Sequence, residues 1–142
     1  MVSLRNGVTM ITREADYAIR VVLCLAGLPK GESMSAMEIS EKMFLPYRFS
    51  RKIIRKLCRT GIVGSSRGKG GGVFLLRPPA RISIHDILEI FDPKSLLFNS
   101  CYQEGNSCPR KYGCNVHDKM KAVQNQLLAK LKDIAFSELL KG

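Results

Sequence analysis

The stretch Arg67-Gly68-Lys69-Gly70-Gly71-Gly72 decides the fold, because it lies between two short β-rich runs. These runs are Ile62-Val63-Gly64-Ser65-Ser66 before it and Val73-Phe74-Leu75-Leu76 after it. Glycine adopts positive φ angles at no steric cost, so a glycine-rich tip between two such runs predicts a β-hairpin. A nucleotide-binding phosphate loop would instead lead from a strand into a helix and end in Gly-Lys-Ser or Gly-Lys-Thr, and this stretch does neither.

Three helices are predicted before the hairpin. Thr12 is a typical N-cap for the first helix, which is expected to end near Gly27. Ser35 and Glu38 form a capping-box pattern that opens a short second helix. Pro46 suits the first position of the third helix, because an N–H there has no intrahelical partner to lose. The apolar stripe of the third helix is expected to consist of Phe49, Ile53, Ile54, Leu57 and Cys58.

Two further helices are predicted after the hairpin, with a long loop between them. Ser83 and Asp86 form another capping pattern, and the helix they open is expected to end near Phe91. The loop over residues 92–114 is rich in Ser, Asn, Gly, Pro and Cys, and its length is typical of a functional loop. The last helix is expected over residues 115–140, with a near-heptad spacing that fits pairing with another helix, and packing in the core of its own chain is the alternative. Its apolar positions are Val116, Met120, Val123, Leu127, Leu131 and Ile134.

The positive charge of the chain is concentrated in one segment. The 142 residues include 23 Lys and Arg against 12 Asp and Glu, which gives a net charge of +11. Between Glu41 and Asp86 there is no acidic residue, and the eleven cations of this segment equal the whole net charge. A solvated surface normally mixes both signs, so this segment indicates a polyanionic partner, and nucleic acid is the first hypothesis.

A short helix, a basic helix and a glycine-tipped hairpin follow the first helix in the order of a winged helix-turn-helix. We therefore predict a mainly α fold with a small β-hairpin: a winged helix-turn-helix DNA-binding domain over residues 1–91, a cysteine loop over 92–114 and a dimerisation helix over 115–142. The basic helix is expected in the major groove of double-stranded DNA, and the hairpin tip at a minor groove or phosphates. Base contacts are expected from Arg48, Arg51 and Lys52, phosphate contacts from Arg55 and Arg59, and tip contacts from Arg67 and Lys69.

A membrane surface is the rival partner for so basic a chain. The third helix is basic and amphipathic, but its apolar face lacks Trp and is needed for the core of so small a domain. The longest apolar run, residues 21–28, is far too short to span a bilayer. The first eleven residues do not resemble a signal peptide. Five cysteines without an export signal favour a reducing compartment, so we predict a cytoplasmic protein that does not bind membranes.

Three of the five cysteines share one loop. Cys101, Cys108 and Cys114 are separated by six and five residues, and His117 follows after two more. Three thiols and an imidazole make a four-ligand set that suits an iron–sulfur cluster or zinc, and a redox disulfide without metal is a third possibility. The wide spacings disfavour zinc, whose knuckles usually bring closer cysteine pairs.

The other two cysteines, Cys24 and Cys58, stand alone within helical patterns and are predicted to be buried, inert thiols. No His or acid accompanies a helical Cys at a catalytic spacing. The sequence therefore disfavours an enzyme with a reactive cysteine.

Taken together, these residues resemble the Rrf2 family of bacterial transcription regulators. The resemblance rests on Asp16-Tyr17-Ala18-Ile19-Arg20, on residues 57–63, on the hairpin and on the three-cysteine loop. It covers nearly the whole chain from Met10. Residues 1–9 precede the usual start of the family, so Met10 is expected to be the natural initiator.

The resemblance implies a homodimer whose operator affinity depends on an iron–sulfur cluster. The ligands of the cluster-assembly regulators correspond here to the three loop cysteines and His117, and they imply a [2Fe–2S] cluster. In the nitric oxide-sensing repressors an Asp from the first helix of the other subunit completes a [4Fe–4S] site, and Asp16 matches it. We favour His117 and [2Fe–2S], with a zinc-stabilised or thiol-redox DNA-binding regulator as the alternative.

The basic helix departs from the family pattern at one point. Relatives often carry Tyr-Leu-Glu-Gln where this chain has Phe49-Ser50-Arg51-Lys52. Glu accepts a hydrogen bond from cytosine, whereas Arg donates to guanine. We therefore expect an operator that differs from that of the relatives.

Overall fold

The computed structural model describes residues 11–105 and 108–141, so Met10 lies outside the described residues. No helix in these ranges is long and apolar enough to cross a membrane. Short 3₁₀ turns lie at Pro79–Arg81, Pro93–Leu96 and Ser100–Tyr102. The regular elements are α1 (Arg13–Ala26), α2 (Ala36–Met43), α3 (Tyr47–Arg59), β1 (Val63–Ser65), β2 (Val73–Leu75), α4 (Ile84–Phe91), α5 (Asn115–Asp133) and α6 (Phe136–Leu139).

The predicted N-terminal caps of α1, α2 and α4 are confirmed. The Thr12 side chain accepts the backbone N–H of Ala15 at 3.3 Å, and complete capping boxes open α2 and α4. The prediction for α3 was wrong by one residue: Pro46 is its N-cap, with extended backbone (ψ 128°), and Tyr47 is its first helical residue. The side-chain caps of α1, α2 and α4 satisfy N–H groups that a helix cannot pair internally, so these three boundaries are determined locally.

Helix α1 lies at the centre of the core and packs against α2, α3, α4, α6 and β2. Its small residues Ala15 and Ala18 are fully buried, which lets the neighbouring helices approach closely. From α3 the core receives Ile53, Ile54 and Leu57, as predicted.

The predicted α3 stripe is wrong at Phe49, whereas Cys58 still packs against the core. Phe49 is 47% exposed, and Cys58 is only partly buried. Ser50 occupies the buried face instead, because it lies three, four and seven residues before Ile53, Ile54 and Leu57. Phe49 stands at the edge of that face, where its ring packs edge-on against Tyr17 with centroids 6.0 Å apart.

The predicted hairpin is confirmed, and β1 and β2 pair antiparallel with Ser65 opposite Val73. A third segment supports it. Met34 and Val73 exchange both backbone hydrogen bonds, at 3.0 and 2.8 Å. The hairpin is therefore anchored to the chain that enters α2, which fixes its position beside the basic helix.

The last helix is shorter than predicted. α5 ends at Asp133, and residues 134–135 are extended because they pair with the segment before α4. The Ile84 N–H donates to the carbonyl of Ile134 at 3.0 Å, and the Phe136 N–H donates to that of Ile82 at 2.9 Å. This pairing directs the Phe136 side chain into the core, where it is fully buried, and a short α6 follows.

The predicted near-heptad seam is divided between two environments. Val116, Met120 and Val123 are exposed, whereas Leu131 packs against the core. Ile134, the last predicted position, lies beyond the end of α5. The N-terminal half of α5 therefore presents an apolar stripe that residues 11–105 and 108–141 leave exposed.

Candidate nucleic-acid interface and cysteine pocket

In the central part of α3, every exposed side chain belongs to a Lys or an Arg. Its apolar residues face the core, and this leaves the basic ones in solvent on the opposite side. A shallow groove on this face is lined by Tyr47, Arg48, Arg51, Lys52 and Arg55. We call the seven predicted DNA-contacting cations, all of which are exposed, the basic surface: Arg48, Arg51, Lys52, Arg55, Arg59, Arg67 and Lys69.

Two side chains of the basic surface have partners that the sequence pattern did not indicate. The guanidinium carbon of Arg51 lies 5.8 Å from the centroid of the Tyr47 ring, one turn earlier on α3. Lys52 pairs with Glu14 of α1, with Nζ and Oε2 3.5 Å apart. The i,i+4 spacing could have revealed Tyr47, but no sequence signal connects Glu14 with Lys52 across 38 residues. The segment between Glu41 and Asp86 contains no acidic residue, but in the folded chain Glu14 lies beside one of its cations.

Lys56 belongs to the same helix but not to the basic surface. It is partly buried, and its Nζ lies 4.7 Å from the centroid of the Phe91 ring at the end of α4. A cation over an aromatic face is attracted by the ring quadrupole. Lys56 therefore contacts the residue that immediately precedes the cysteine loop, and we do not expect it to contact DNA.

We call residues 63–75 the wing. Gly68 and Gly70 have φ angles of 95° and 82°, which the sharp turn at its tip requires. Gly72 is needed for a different reason, since a Cβ there would lie 2.8 Å from the carbonyl oxygen of Met34. The backbone geometry thus explains the glycines, and it leaves Arg67 and Lys69 exposed at the tip.

The four predicted metal ligands line one cavity of about 400 Å³, which we call the cysteine pocket. Cys101 lies in a 3₁₀ turn, Cys108 in the following loop, Cys114 at the N-cap of α5 and His117 in its first turn. The three thiols are partly buried and free of disulfides. Four donors that span 17 residues of sequence thus line the same cavity.

Tyr102 holds the helical side of the cysteine pocket in place. Its hydroxyl donates to the backbone carbonyl of His117 at 3.2 Å, and the two ring centroids are 5.1 Å apart. Partial burial raises the pKa of the Tyr102 hydroxyl, and Cys101, Cys114 and Asp118 raise it further. The phenol therefore stays protonated and keeps its role as a donor.

Three thiols and an imidazole are the types of ligand that an iron–sulfur cluster or a zinc ion takes. Within residues 11–105 and 108–141, however, no three Cys, His, Asp or Glu groups are close enough together to hold one ion. Ligation would thus require the loop to draw its donors together. Asp16, the alternative fourth ligand, does not line the cysteine pocket of its own chain and pairs instead with Arg20, with Oδ2 and Nε 3.0 Å apart.

Of the two remaining cysteines, Cys24 is buried as predicted, whereas Cys58 is only partly buried, so the prediction of burial was wrong for Cys58. Burial raises the pKa of the Cys24 thiol, which Lys42 lowers to a smaller extent, and burial also raises the pKa of Cys58. Cys24 is buried with its sulfur 3.7 Å from that of Met34. Thiols in such surroundings stay protonated and unreactive.

Comparison with known proteins identifies the family. The model of the Rrf2 family, described as an iron-dependent transcriptional regulator, matches residues 11–142. The chain belongs to the Rrf2 family. Since the members of this family are transcription regulators, it is not an enzyme.

Individual proteins match this chain over most of their own length. Protein aau3 of Rhizobium meliloti (strain 1021) is 28% identical over 134 residues, which cover 93% of this chain and 85% of that protein. The structure of T. potens IscR superposes with a TM-score of 0.72 at 24% identity, covering 95% of this chain and 88% of the other. CymR, the global cysteine regulator of B. subtilis, gives a TM-score of 0.77 at 17% identity, with 93% and 96% covered. These structures confirm the winged-helix fold of the Rrf2 regulators.

Proposed function

We propose that this Rrf2 regulator is a cytoplasmic homodimer that binds operator DNA with an affinity controlled by an iron–sulfur cluster, with [2Fe–2S] favoured over [4Fe–4S]. The observation that carries the proposal is the placement of Cys101, Cys108, Cys114 and His117 around one cavity. The same chain presents a basic helix and wing on a family fold of transcription regulators. A sensing site and a DNA-binding surface are thus combined in one small protein.

The basic surface suits the two grooves of duplex DNA. The N-terminal part of α3 is exposed and carries Arg48, Arg51 and Lys52, which are long enough to reach base edges in the major groove. Arg55 and Arg59 lie further along α3, where phosphates are the expected partners. The wing tip then reaches the neighbouring minor groove or its phosphates.

The double variant Arg67→Ala/Lys69→Ala is expected to weaken binding to all DNA sequences to a similar degree. Each lost phosphate contact removes counterion release, and the proposed dimer loses four such contacts, so the slope of log K against log salt concentration should fall by about 3–4 in magnitude. Fluorescence anisotropy of a labelled duplex across a salt series measures this slope. Lys119→Ala, an exposed cation of α5, is the control and should leave the slope unchanged. An unchanged slope in the double variant would contradict the wing assignment.

The uncovered stripe of α5 suits a second copy of the chain. Val116, Met120 and Val123 follow a spacing of four and three residues and are 68%, 41% and 47% exposed. Two such stripes packed together would bury apolar surface on both chains and place the two copies of α3 on one side of a dimer. A dimer of this kind reads two half-sites about one turn of DNA apart.

The substitution Val123→Asp is expected to convert the protein from a dimer to a monomer, because it buries a charge in the proposed interface. Light scattering coupled to size exclusion should report 15.9 kDa for the variant and about twice that mass for the wild type. Asn125→Asp adds the same charge at another exposed position of α5, and the dimer should persist. A dimeric Val123→Asp protein would show that α5 does not form the interface.

The cysteine pocket supplies the donors that a cluster needs. Cys101, Cys108 and Cys114 would bind as thiolates and His117 through its imidazole, or Asp16 from a second copy would be the fourth ligand. A cluster bound there supplies a labile, redox-active centre. Tyr102 orients the turn that carries His117, since its hydroxyl holds the carbonyl of that residue.

Two contacts connect the cysteine loop to the DNA-binding helices. Asp92, the first residue of the loop, accepts the Thr12 N–H at the start of α1 at 2.9 Å and is nearly buried. Phe91, immediately before it, contacts Lys56 of α3. A rearrangement of the loop would therefore be transmitted to both α1 and α3. Ligation at the cysteines would in this way change the spacing between the two copies of α3 in the dimer.

Anaerobic purification tests the cluster directly. The protein should be coloured and should contain iron and acid-labile sulfide, and its affinity for DNA should change when the cluster is removed. A colourless protein loaded with zinc would overturn the iron–sulfur proposal.

A thiol-based regulator without metal is the second candidate. It is favoured by the structural similarity to CymR, a cysteine regulator. In that case the purified protein would lack iron, sulfide and zinc, and mild oxidation would form a disulfide among the loop cysteines. Mass spectrometry of the oxidised protein would identify the pairing.

A further inference from the structure

Tyr47 is the only aromatic residue that lines the groove on α3, among cations, within the described part of the chain. It is the first residue of the helix and is 40% exposed. Arg51 stands one turn later with its guanidinium carbon 5.8 Å from the ring centroid. This distance is within the range of a cation–π interaction, which is attractive even at an exposed site.

We propose that Tyr47 is a positioning residue that holds the Arg51 guanidinium for the recognition of guanine in the major groove. The inference rests on the proposed binding of DNA by α3. Arginine reads guanine by donating two hydrogen bonds, to O6 and N7, and this requires the planar guanidinium to be presented in one orientation. A free arginine side chain samples many rotamers, and an aromatic face beside it reduces the entropy lost on binding.

The other cations of the groove are less suited to this task. Lys52 is held by Glu14, 3.5 Å away, so its ammonium must leave an ion pair before it can contact a base. Arg48 and Arg55 have no aromatic or acidic contact of this kind within residues 11–105 and 108–141. Lys56 does not line the groove, and its ammonium faces the Phe91 ring at the end of α4. Arg51 is therefore the preorganised cation of the groove.

The test is selection of binding sites from a random-sequence duplex library, because it requires no known operator. The wild type should enrich a guanine at one position of each half-site, and Arg51→Ala should lose this preference by about tenfold or more. Tyr47→Phe keeps the aromatic face and should retain the preference. Tyr47→Leu keeps an apolar side chain without that face, and it should reduce the preference about two- to fivefold. In the Arg51→Ala background, Tyr47→Leu should have no further effect.

Replacing the selected guanine by 7-deazaguanine provides a second readout. This base lacks the N7 acceptor, so the wild type and Tyr47→Phe should bind it more weakly than guanine, whereas Arg51→Ala should not distinguish the two. If Tyr47→Leu enriches guanine as strongly as the wild type, the inference is wrong although the proposed function stands. A loss in Tyr47→Phe as large as that in Tyr47→Leu would assign the effect to the hydroxyl and would also overturn it. If the wild type enriches no sequence at all, the proposed function itself fails.

Discussion

The substitution Phe136→Ala is expected to lower the free energy of unfolding by about 3–5 kcal/mol, the usual cost of truncating a buried Phe. The side chain is fully buried, although it comes from a four-residue helix near the end of the chain. Its backbone N–H donates to Ile82 at 2.9 Å, so the surrounding structure cannot easily collapse into the cavity. Urea denaturation followed by circular dichroism, at one fixed protein concentration, measures the change.

Leu139→Ala is the matched control for this substitution. Leu139 lies on the same short helix but is 39% exposed, so its truncation should cost much less, about 1 kcal/mol or below. Equal losses in the two variants would show that Phe136 does not belong to the core. Such a result would favour the continuous C-terminal helix over residues 115–140 that the periodicity predicts.

The second large effect is expected at the cysteine loop, where Cys114→Ser should abolish the binding of iron and sulfide. The serine hydroxyl is a poor ligand for iron at neutral pH, and Cys114 lies where the cysteine loop joins α5, as the N-cap of that helix. Iron and sulfide per chain, together with the visible absorption spectrum of anaerobic protein, measure the loss. Circular dichroism shows whether the helices remain.

Cys58→Ser is the control, because this thiol is partly buried in α3 and burial raises its pKa. It should leave the iron and sulfide contents unchanged. The variants His117→Ala and Asp16→Asn then distinguish the two candidate fourth ligands by electron paramagnetic resonance of the reduced cluster. Full iron and sulfide contents in Cys114→Ser would remove this residue from the ligand set.

Much of the fold follows from local signals in the sequence. The capping residues Thr12, Ser35 and Ser83 pair with backbone groups three residues later, so a short window of sequence contains both partners. The same holds for the glycine tip of the wing. The three loop cysteines and His117 likewise lie within 17 residues, so their grouping is visible in the sequence, and their role as ligands stays a prediction. These predictions depend on contacts that are close in the chain.

Other features required the tertiary structure. No periodicity shows that Phe136 enters the core, because the break in the last helix comes from pairing with residues about 50 positions away. The ion pair of Lys52 with Glu14 and the contact of Lys56 with Phe91 likewise join different helices.

The sequence by itself therefore determined the order of the elements, the basic surface and the set of candidate ligands. Only the tertiary structure showed which cations have partners within the chain and where the C-terminal helix ends. The physical reason is that caps, turns and periodicity are short-range, whereas the partner of an exposed charge or a buried ring is selected by the packing of the whole domain.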